Sequence, residues 1–156
     1  VSSAIVTKYE TLLSSVMALA SFMPILMDTG GNAGSQSSTL IIRGLAQHEI
    51  ELHDVLKVLW REFRVGIIAG LALAVANFAR VLIINPWVDI SVAIVISVSL
   101  FIVVVFSKSI GGTLPLFAKK MGLDPAIMAS PLITTIVDAV ALIIYFELAN
   151  RFILNL

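Results

Sequence analysis

Four long apolar stretches constrain the fold of this chain more than any other feature. They cover residues 11–45, 65–84, 88–106 with a continuation toward 117, and 126–152. Each approaches or exceeds the ~20 residues that a helix needs to cross the hydrocarbon core of a bilayer. Strands of a membrane barrel are about ten residues long and alternate in polarity, and no such alternation is present. The sequence therefore predicts an all-α membrane protein, a polytopic bundle of four transmembrane helices.

Composition supports a lipid environment and excludes several functions. Of the 156 residues, 59% are apolar and 13% are charged, whereas soluble domains are about half apolar and a quarter charged. Ten basic residues balance ten acidic residues, so no basic field is available to bind nucleic acid. The absence of cysteine excludes disulfides and thiolate metal sites. No paired nucleophile and base is recognisable, so we do not expect an enzyme.

The distribution of basic residues predicts the orientation in the membrane. Most of them fall in two connections, at residues 43–64 and 107–125, namely Arg43, Lys57, Arg61, Arg64, Lys108, Lys119 and Lys120. Cytoplasmic loops are enriched in such residues, so we expect these long connections in the cytoplasm and the C-terminus outside a cell (inner) membrane. Residues 46–62 have helical periodicity and are expected to form a separate amphipathic surface helix.

A glycine-rich segment at residues 28–36 (DTGGNAGSQ) interrupts the first stretch. One helix over residues 12–42 would be about 46 Å long, against a core of roughly 30 Å. The helix therefore either extends beyond the core or breaks, and a break exposes carbonyls that only protein or water can satisfy. Glycines alone favour close helix packing, but the neighbouring polar side chains favour a polar path: Asp28, Asn32, Ser35 and Gln36. We expect the helix to break here.

Asp138 lies near the middle of the fourth stretch. A charge at that depth costs at least ~2.5–3.5 kcal/mol on insertion scales. The acid is therefore either neutral and buried, paired with Arg80, or part of an ion or proton pathway, and the pathway is the favoured interpretation. Thr134 and Ser130 lie one and two helical turns before it on the same face. Ser130, Thr134 and Asp138 therefore place side-chain oxygen atoms along one face of the helix, leading from the cytoplasmic side to the carboxylate.

The chemistry of these groups points to a hard cation. Oxygen ligands and the absence of cysteine favour such an ion, and His48 and His53 fall outside the stretches, on an expected solvated surface. Mg²⁺ keeps several waters and uses few carboxylates. Because one chain supplies few ligands, two chains with their Asp138 side chains facing one axis are the expected arrangement.

Several motifs resemble the membrane domain of the MgtE magnesium channel family. They are residues 24–36 (PILMDTGGNAGSQ), 39–45 (TLIIRGL), 114–115 (LP), 122–126 (GLDPA), 130–138 (SPLITTIVD) and 142–145 (LIIY). The resemblance implies a homodimeric, magnesium-selective channel of the inner membrane with its pore at the dimer axis. The family has five spans; residues 1–10 would then be an outer loop or the tail of a preceding helix, and residues 11–156 the pore domain.

The resemblance also implies which residues bind the ion. The position matching Asp138 is the main pore ligand, and it holds hydrated Mg²⁺ together with positions matching Thr134, Ser130, Gly30, Gly31 and Asn32. The acid matching Asp124 lies at the cytoplasmic mouth. Ser130 and Thr134 depart from the family pattern, which adds Mn²⁺ and Co²⁺ as candidate ions. Lipid surrounds such a domain, and cytoplasmic regulatory domains would be partners outside this chain.

Three functions remain open at this point. A passive channel is favoured. The alternative is a cation- or proton-coupled divalent metal carrier, in which Asp138 would take up a proton. A third interpretation is a membrane scaffold whose glycines only pack helices.

Overall fold

The computed structural model describes residues 2–8, 17–128 and 130–154, and these residues form five α-helices. The helices are α1 (Ser2–Lys8), α2 (Met17–Ala46), α3 (Val55–Ile84), α4 (Ile90–Lys120) and α5 (Ser130–Ala149). Short 3-10 helices, Leu52–Asp54 and Pro125–Met128, precede α3 and α5, and a π-helical segment, Asn150–Leu154, follows α5. The predicted all-α membrane fold is confirmed.

Three segments are long and apolar enough to cross a membrane within the described residues: Leu52–Ile84, Ile90–Lys120 and Pro131–Ile153. The sequence predicted four. The remaining long helix, α2, has 30 residues, as α3 does, but it is the least apolar of the four long helices because its middle is polar. Residues 9–16, where the predicted first span begins, lie outside the described residues. A span over α2 therefore stays a prediction.

The predicted break in the first span is wrong. Helix α2 runs without interruption through residues 28–36. A glycine inside a helix costs only about 1 kcal/mol relative to alanine, and contacts of α2 with both α4 and α5 support the helical backbone. The carbonyls of Gly30 and Gly31 therefore belong to a regular helix.

The predicted surface helix over residues 46–62 is also wrong. Residues 47–51 form turns and bends, and Val55 begins α3, which continues to Ile84. The basic residues at 57–64 therefore occupy the first turns of a long apolar helix. Lys108, assigned from the sequence to a cytoplasmic connection, lies inside α4 and is buried.

Helix α4 is the centre of the bundle. It packs against α2, α3 and α5 and is the most buried of the three apolar segments. Its contact with α3 follows a stripe of small buried residues on α3, including Gly66, Gly70 and Ala74. Small residues at this spacing let helix backbones approach closely. The opposite face of α3 exposes large apolar side chains such as Ile68 and Val75, which suits contact with lipid.

The larger apolar cluster binds α2, α4 and α5 to the end of α3 and includes Leu26, Ile96 and Phe146. Within it, the buried hydroxyl of Tyr145 on α5 donates a hydrogen bond to the Leu19 carbonyl on α2 at 2.9 Å. Ile5 and Val6 of α1 pack against the same cluster. A smaller cluster at the other end of the bundle joins α2, α3 and α4 through Ile41, Leu45, Val58 and Leu116. Helix α2 is thus anchored at both ends.

Candidate functional site

One face of α2 packs so closely on its neighbours that only glycine fits. A side chain at Gly30 would place its β-carbon 2.7 Å from Val103 Cγ1 and 3.0 Å from Val137 Cγ1. On α4, a β-carbon at Gly111 would collide with the backbone of Gly34. These glycines therefore pack helices, which was one of the two interpretations of the segment.

Another face of α2 is polar and exposed. It carries Asp28, Asn32, Gln36 and Thr39 at spacings of three or four residues, which forms one stripe about 16 Å long at the helical rise per residue. We call these four residues the polar stripe. An open groove of about 510 Å³ runs beside it, lined by Asn32, Ser35, Gln36, Thr39 and Leu40. Helix α2 thus has a packing face and an exposed polar face.

Asp138 meets α2 at the border between these two faces. A β-carbon at Gly31 would lie 3.2 Å from Thr134 Cγ2 and 3.8 Å from Asp138 Oδ1. The structure therefore brings together Gly31, Thr134 and Asp138, three of the residues singled out from the sequence. Asp138 is partly exposed, so its carboxylate remains accessible.

Asp28 adds a second carboxylate that was not among the candidate ligands. It lies about one helical turn before Gly31, the residue that packs beside Asp138. The sequence shows the three-residue spacing between Asp28 and Gly31, but only the packing of α5 on α2 shows that this part of α2 lies beside Asp138.

The alternative pairing of Asp138 with Arg80 is wrong. Arg80 Nη2 donates to Asn77 Oδ1 at 3.1 Å, and its guanidinium lies 5.6 Å from the centre of the Phe22 ring. Within the described part of the chain, the ion pairs formed by Lys and Arg do not include Asp138. Asp138 therefore has no fixed counter-charge among the residues that the structure describes.

Thr134 keeps the capacity to face a hydrated ion. Its hydroxyl donates to the Pro131 carbonyl at 3.1 Å, and the Thr135 hydroxyl donates to the same carbonyl at 2.8 Å. A hydroxyl that donates one hydrogen bond still has acceptor lone pairs. Ser130 begins α5, but its side chain lies outside what the structure describes.

The other candidate residues lie apart from this group. Gly30 is buried against α4 and α5 rather than beside Asp138. Asp124 is exposed in the connection between α4 and α5, where its Oδ1 accepts a hydrogen bond from the Ala126 amide at 2.9 Å. His48 and His53 are exposed in the α2–α3 connection. Among the residues that the structure covers, no three His, Cys, Asp or Glu side chains are close enough together to hold a metal ion, which disfavours a closed, fully dehydrated site in one chain.

Comparison with known proteins agrees with these features. Residues 23–148 match the family model of MgtE, described as a divalent cation transporter. The chain is 38% identical over 151 residues to the magnesium transporter MgtE of Thermus thermophilus. It is 37% identical over 157 residues to that of Bacillus subtilis and 28% identical over 151 residues to that of Enterococcus faecalis. These matches cover 96 to 100% of this chain but only 33 to 34% of each relative, so the chain spans about a third of their length.

Proposed function

Because the chain belongs to the MgtE family of divalent cation transporters, we propose that it forms the membrane-spanning part of a magnesium transporter. In this proposal, Mg²⁺ is the substrate and passes along the polar stripe beside Asp138. The observation that carries the proposal is the position of the stripe. Polar side chains are exposed on a helix whose bundle otherwise exposes mainly large apolar residues. They lie beside Asp138, which has no basic partner in the described part of the chain.

The chemistry of the groups suits a hydrated ion. Mg²⁺ holds its waters in octahedral geometry and loses them reluctantly. At about 30 Å³ for each water, six waters need about 180 Å³, less than the groove of about 510 Å³. The oxygens of Asn32, Gln36 and Thr39 can accept hydrogen bonds from those waters. The carboxylates of Asp138 and Asp28 supply the opposite charge, and a bound divalent cation relieves their mutual repulsion.

A second copy of the chain would enclose the path. In a single chain the polar stripe faces outward, where lipid cannot satisfy polar groups. Two copies related by a two-fold axis would place stripe against stripe, as in the commonest symmetric assembly. The pair would then contribute four carboxylates to one aqueous path, which is a passive channel at a homodimer axis.

Reconstitution tests the role of the carboxylates. We expect the full-length protein carrying Asp138→Asn to lose at least about tenfold of its Mg²⁺ uptake into liposomes, equivalent to ~1.4 kcal/mol. Asp28→Asn should cause a smaller loss, because it leaves Asp138, the main proposed ligand, in place. Glu147→Gln is the matched control, since Glu147 is an exposed acid of the same helix. Unchanged uptake by the Asp138→Asn variant would contradict the assignment.

The driving force separates the two transport mechanisms. Uptake driven by the Mg²⁺ gradient and membrane potential alone supports a channel. Uptake that needs a proton or sodium gradient supports the coupled carrier, in which the unpaired Asp138 carboxylate takes up a proton. Competition by Mn²⁺ and Co²⁺ in the same assay measures the ion preference.

Cysteine cross-linking tests the dimer axis. The chain contains no cysteine, so introduced thiols can be interpreted without background from this segment. We expect Gln36→Cys in the polar stripe to form a disulfide between copies under mild oxidation. Val75→Cys, on the exposed apolar face of α3, is the control and should remain monomeric. No cross-link along the stripe in an actively transporting protein would refute the axis.

A further inference from the structure

A buried cluster of charged and polar residues joins α2 to α3 and α4. The Ser37 hydroxyl on α2 donates to Glu62 Oε2 on α3 at 2.6 Å. Lys108 Nζ on α4 donates to Ser37 Oγ at 3.3 Å. The exposed fractions of Ser37, Glu62 and Lys108 are 0%, 4% and 8%. We call these three residues the buried charge cluster.

The cluster is hydrogen-bonded on both sides of Glu62. Arg61, at the edge of the cluster, donates from Nε and Nη2 to Glu62 Oε1 at 3.2 and 3.1 Å. Both carboxylate oxygens therefore accept hydrogen bonds. Among the described residues, the ion pairs within 4 Å do not include Lys108, so its ammonium reaches Glu62 only through Ser37. Removing the charge of Glu62 or of Lys108 leaves the other buried charge uncompensated.

Glycines lie next to both charged side chains, and one of them makes room for Glu62. A β-carbon at Gly112 of α4 would lie 2.6 Å from Glu62 Cγ. A β-carbon at Gly66 of α3 would lie 3.0 Å from Val105 Cα and 3.7 Å from Lys108 Cβ. The aliphatic part of Glu62 therefore passes through a gap left by Gly112, and Gly66 lets α3 approach the backbone of α4 next to Lys108. The cluster is part of the helix packing and not an accident of side-chain placement.

We propose that Glu62 and Lys108 are positioning residues for the ion path, acting through Ser37. At about 100° per residue, the four residues of the polar stripe lie about 100–180° around α2 from Ser37, with Gln36 nearest and Asp28 farthest. Holding Ser37 between α3 and α4 therefore keeps the polar stripe turned away from these two helices. The inference rests on the proposed function, because it assumes that the stripe lines the path.

The hydrogen bonds of the buried charge cluster fix the rotation of α2 better than an apolar contact would, because hydrogen bonds are directional. Apolar packing tolerates small rotations of a helix, since it has no preferred direction. Ser37 must at once accept a hydrogen bond from Lys108 and donate one to Glu62, and these bonds weaken steeply when they bend. A rotation of α2 that moved the stripe would break both bonds and leave buried charges unsatisfied.

Transport kinetics of the full-length protein in liposomes test the proposal. We expect Lys108→Met to raise the Mg²⁺ concentration at half-maximal uptake by about tenfold and to reduce the preference for Mg²⁺ over Mn²⁺. Ser37→Ala should shift the same two quantities in the same direction, because it removes the link. Lys108→Arg should restore most of the wild-type behaviour. Lys120→Met, an exposed lysine of the same helix, is the control and should behave as wild type.

The outcomes separate positioning from simple stabilisation. If Lys108→Met and Ser37→Ala lower thermal stability but leave half-saturation and ion preference at wild-type values, the positioning role is refuted. Should Lys108→Met fail to fold, Ser37→Ala decides alone, because it leaves no excess charge of its own. Two other results would refute the proposed function independently: a wild-type protein that takes up no Mg²⁺, or an Asp138→Asn variant with normal uptake.

Discussion

The close approach of α2 and α4 makes Gly111→Ala a stringent test of the fold. The β-carbon of an alanine at residue 111 would lie 2.8 Å from the carbonyl carbon of Gly34 and 2.9 Å from its Cα, whereas ordinary contacts lie at 3.4–4 Å. All three of its nearest neighbours are backbone atoms. No change of rotamer can relieve the contact, so the two helices must move apart.

The expected cost follows from this geometry. Forcing an extra carbon into a packed core costs about 1–3 kcal/mol, and an immovable backbone neighbour places the cost near 3 kcal/mol. Alanine recovers about 1 kcal/mol through its higher helix propensity. We therefore expect Gly111→Ala to lower the free energy of unfolding by about 2 kcal/mol.

Gly31→Ala is the matched control for this substitution. Its β-carbon would meet the Thr134 methyl carbon at 3.2 Å, and a side chain can shift by a few tenths of an ångström. The steric cost and the gain in propensity should nearly cancel, so stability should remain within about 0.5 kcal/mol of wild type. Because the new methyl group would lie 3.8 Å from Asp138 Oδ1, Mg²⁺ uptake should nevertheless fall.

Unfolding titrations in mixed micelles and uptake into liposomes measure the two effects on the same preparations. We expect the variant at residue 111 to lose stability and the variant at residue 31 to lose transport. Equal stability of Gly111→Ala and wild type would refute the inferred backbone contact. A Gly31→Ala variant that is the less stable of the two would refute the division of α2 into a packing face and a path face.

Two further predictions concern single hydrogen bonds. Tyr145→Phe removes the buried bond to the Leu19 carbonyl and should lower the free energy of unfolding by about 0.5–1.5 kcal/mol, measured by the same titration; an unchanged value would show that the bond contributes nothing. Asp124→Ala removes the acceptor for the Ala126 amide and should cost about 0.5–1 kcal/mol, whereas Asp124→Asn keeps that acceptor. If Asp124 attracts the ion at the cytoplasmic entrance of the path, Asp124→Ala and Asp124→Asn should both slow uptake at low Mg²⁺. Normal uptake by Asp124→Asn would show that Asp124 only accepts the hydrogen bond from the Ala126 amide.

Local sequence signals predicted the elements that depend on local physics. The long apolar stretches near residues 65–84, 88–106 and 126–152 each correspond to a long helix, Val55–Ile84, Ile90–Lys120 and Ser130–Ala149, because apolar length is sufficient to favour a membrane helix. Helix boundaries were less predictable. Residues 46–62 suggested a separate surface helix, yet residues 55–62 form the first turns of α3. A change in polarity along a helix indicates a change of surroundings and not an end of the backbone hydrogen bonding.

The glycine-rich segment shows a different limit. Its glycines and polar residues alternate closely along the chain, so the sequence predicted a single character for the whole segment and a break in the helix. The helical backbone separates them instead: Gly30 and Gly34 face α4 and α5, and Asn32 and Gln36 face outward. The directions of these residues depend on which helices surround α2, and that depends on contacts distant in sequence.

Residues of the proposed path and of its surroundings also differ in how far the sequence alone identifies them. Asp138 could be singled out from the sequence, since an isolated acid in an apolar stretch is costly wherever the rest of the chain lies. The sequence also placed Asp28 in the expected polar path, but it did not single out the buried charge cluster. Glu62 lies between Arg61 and Arg64, and Lys108 follows the end of an apolar stretch, where a charge is ordinary. The two side chains are linked only because α2 brings Ser37 between α3 and α4.

The amino-acid sequence alone determined that the chain is helical, that it belongs in lipid, and that a lone carboxylate lies deep in one of its apolar stretches. These properties follow from composition and from interactions along one helix. Tertiary structure decided which face of α2 packs and which stays open, and which charges are buried together. Those outcomes depend on the close approach of helices that are far apart in the chain, and a steric fit of that kind has no signature in any single segment.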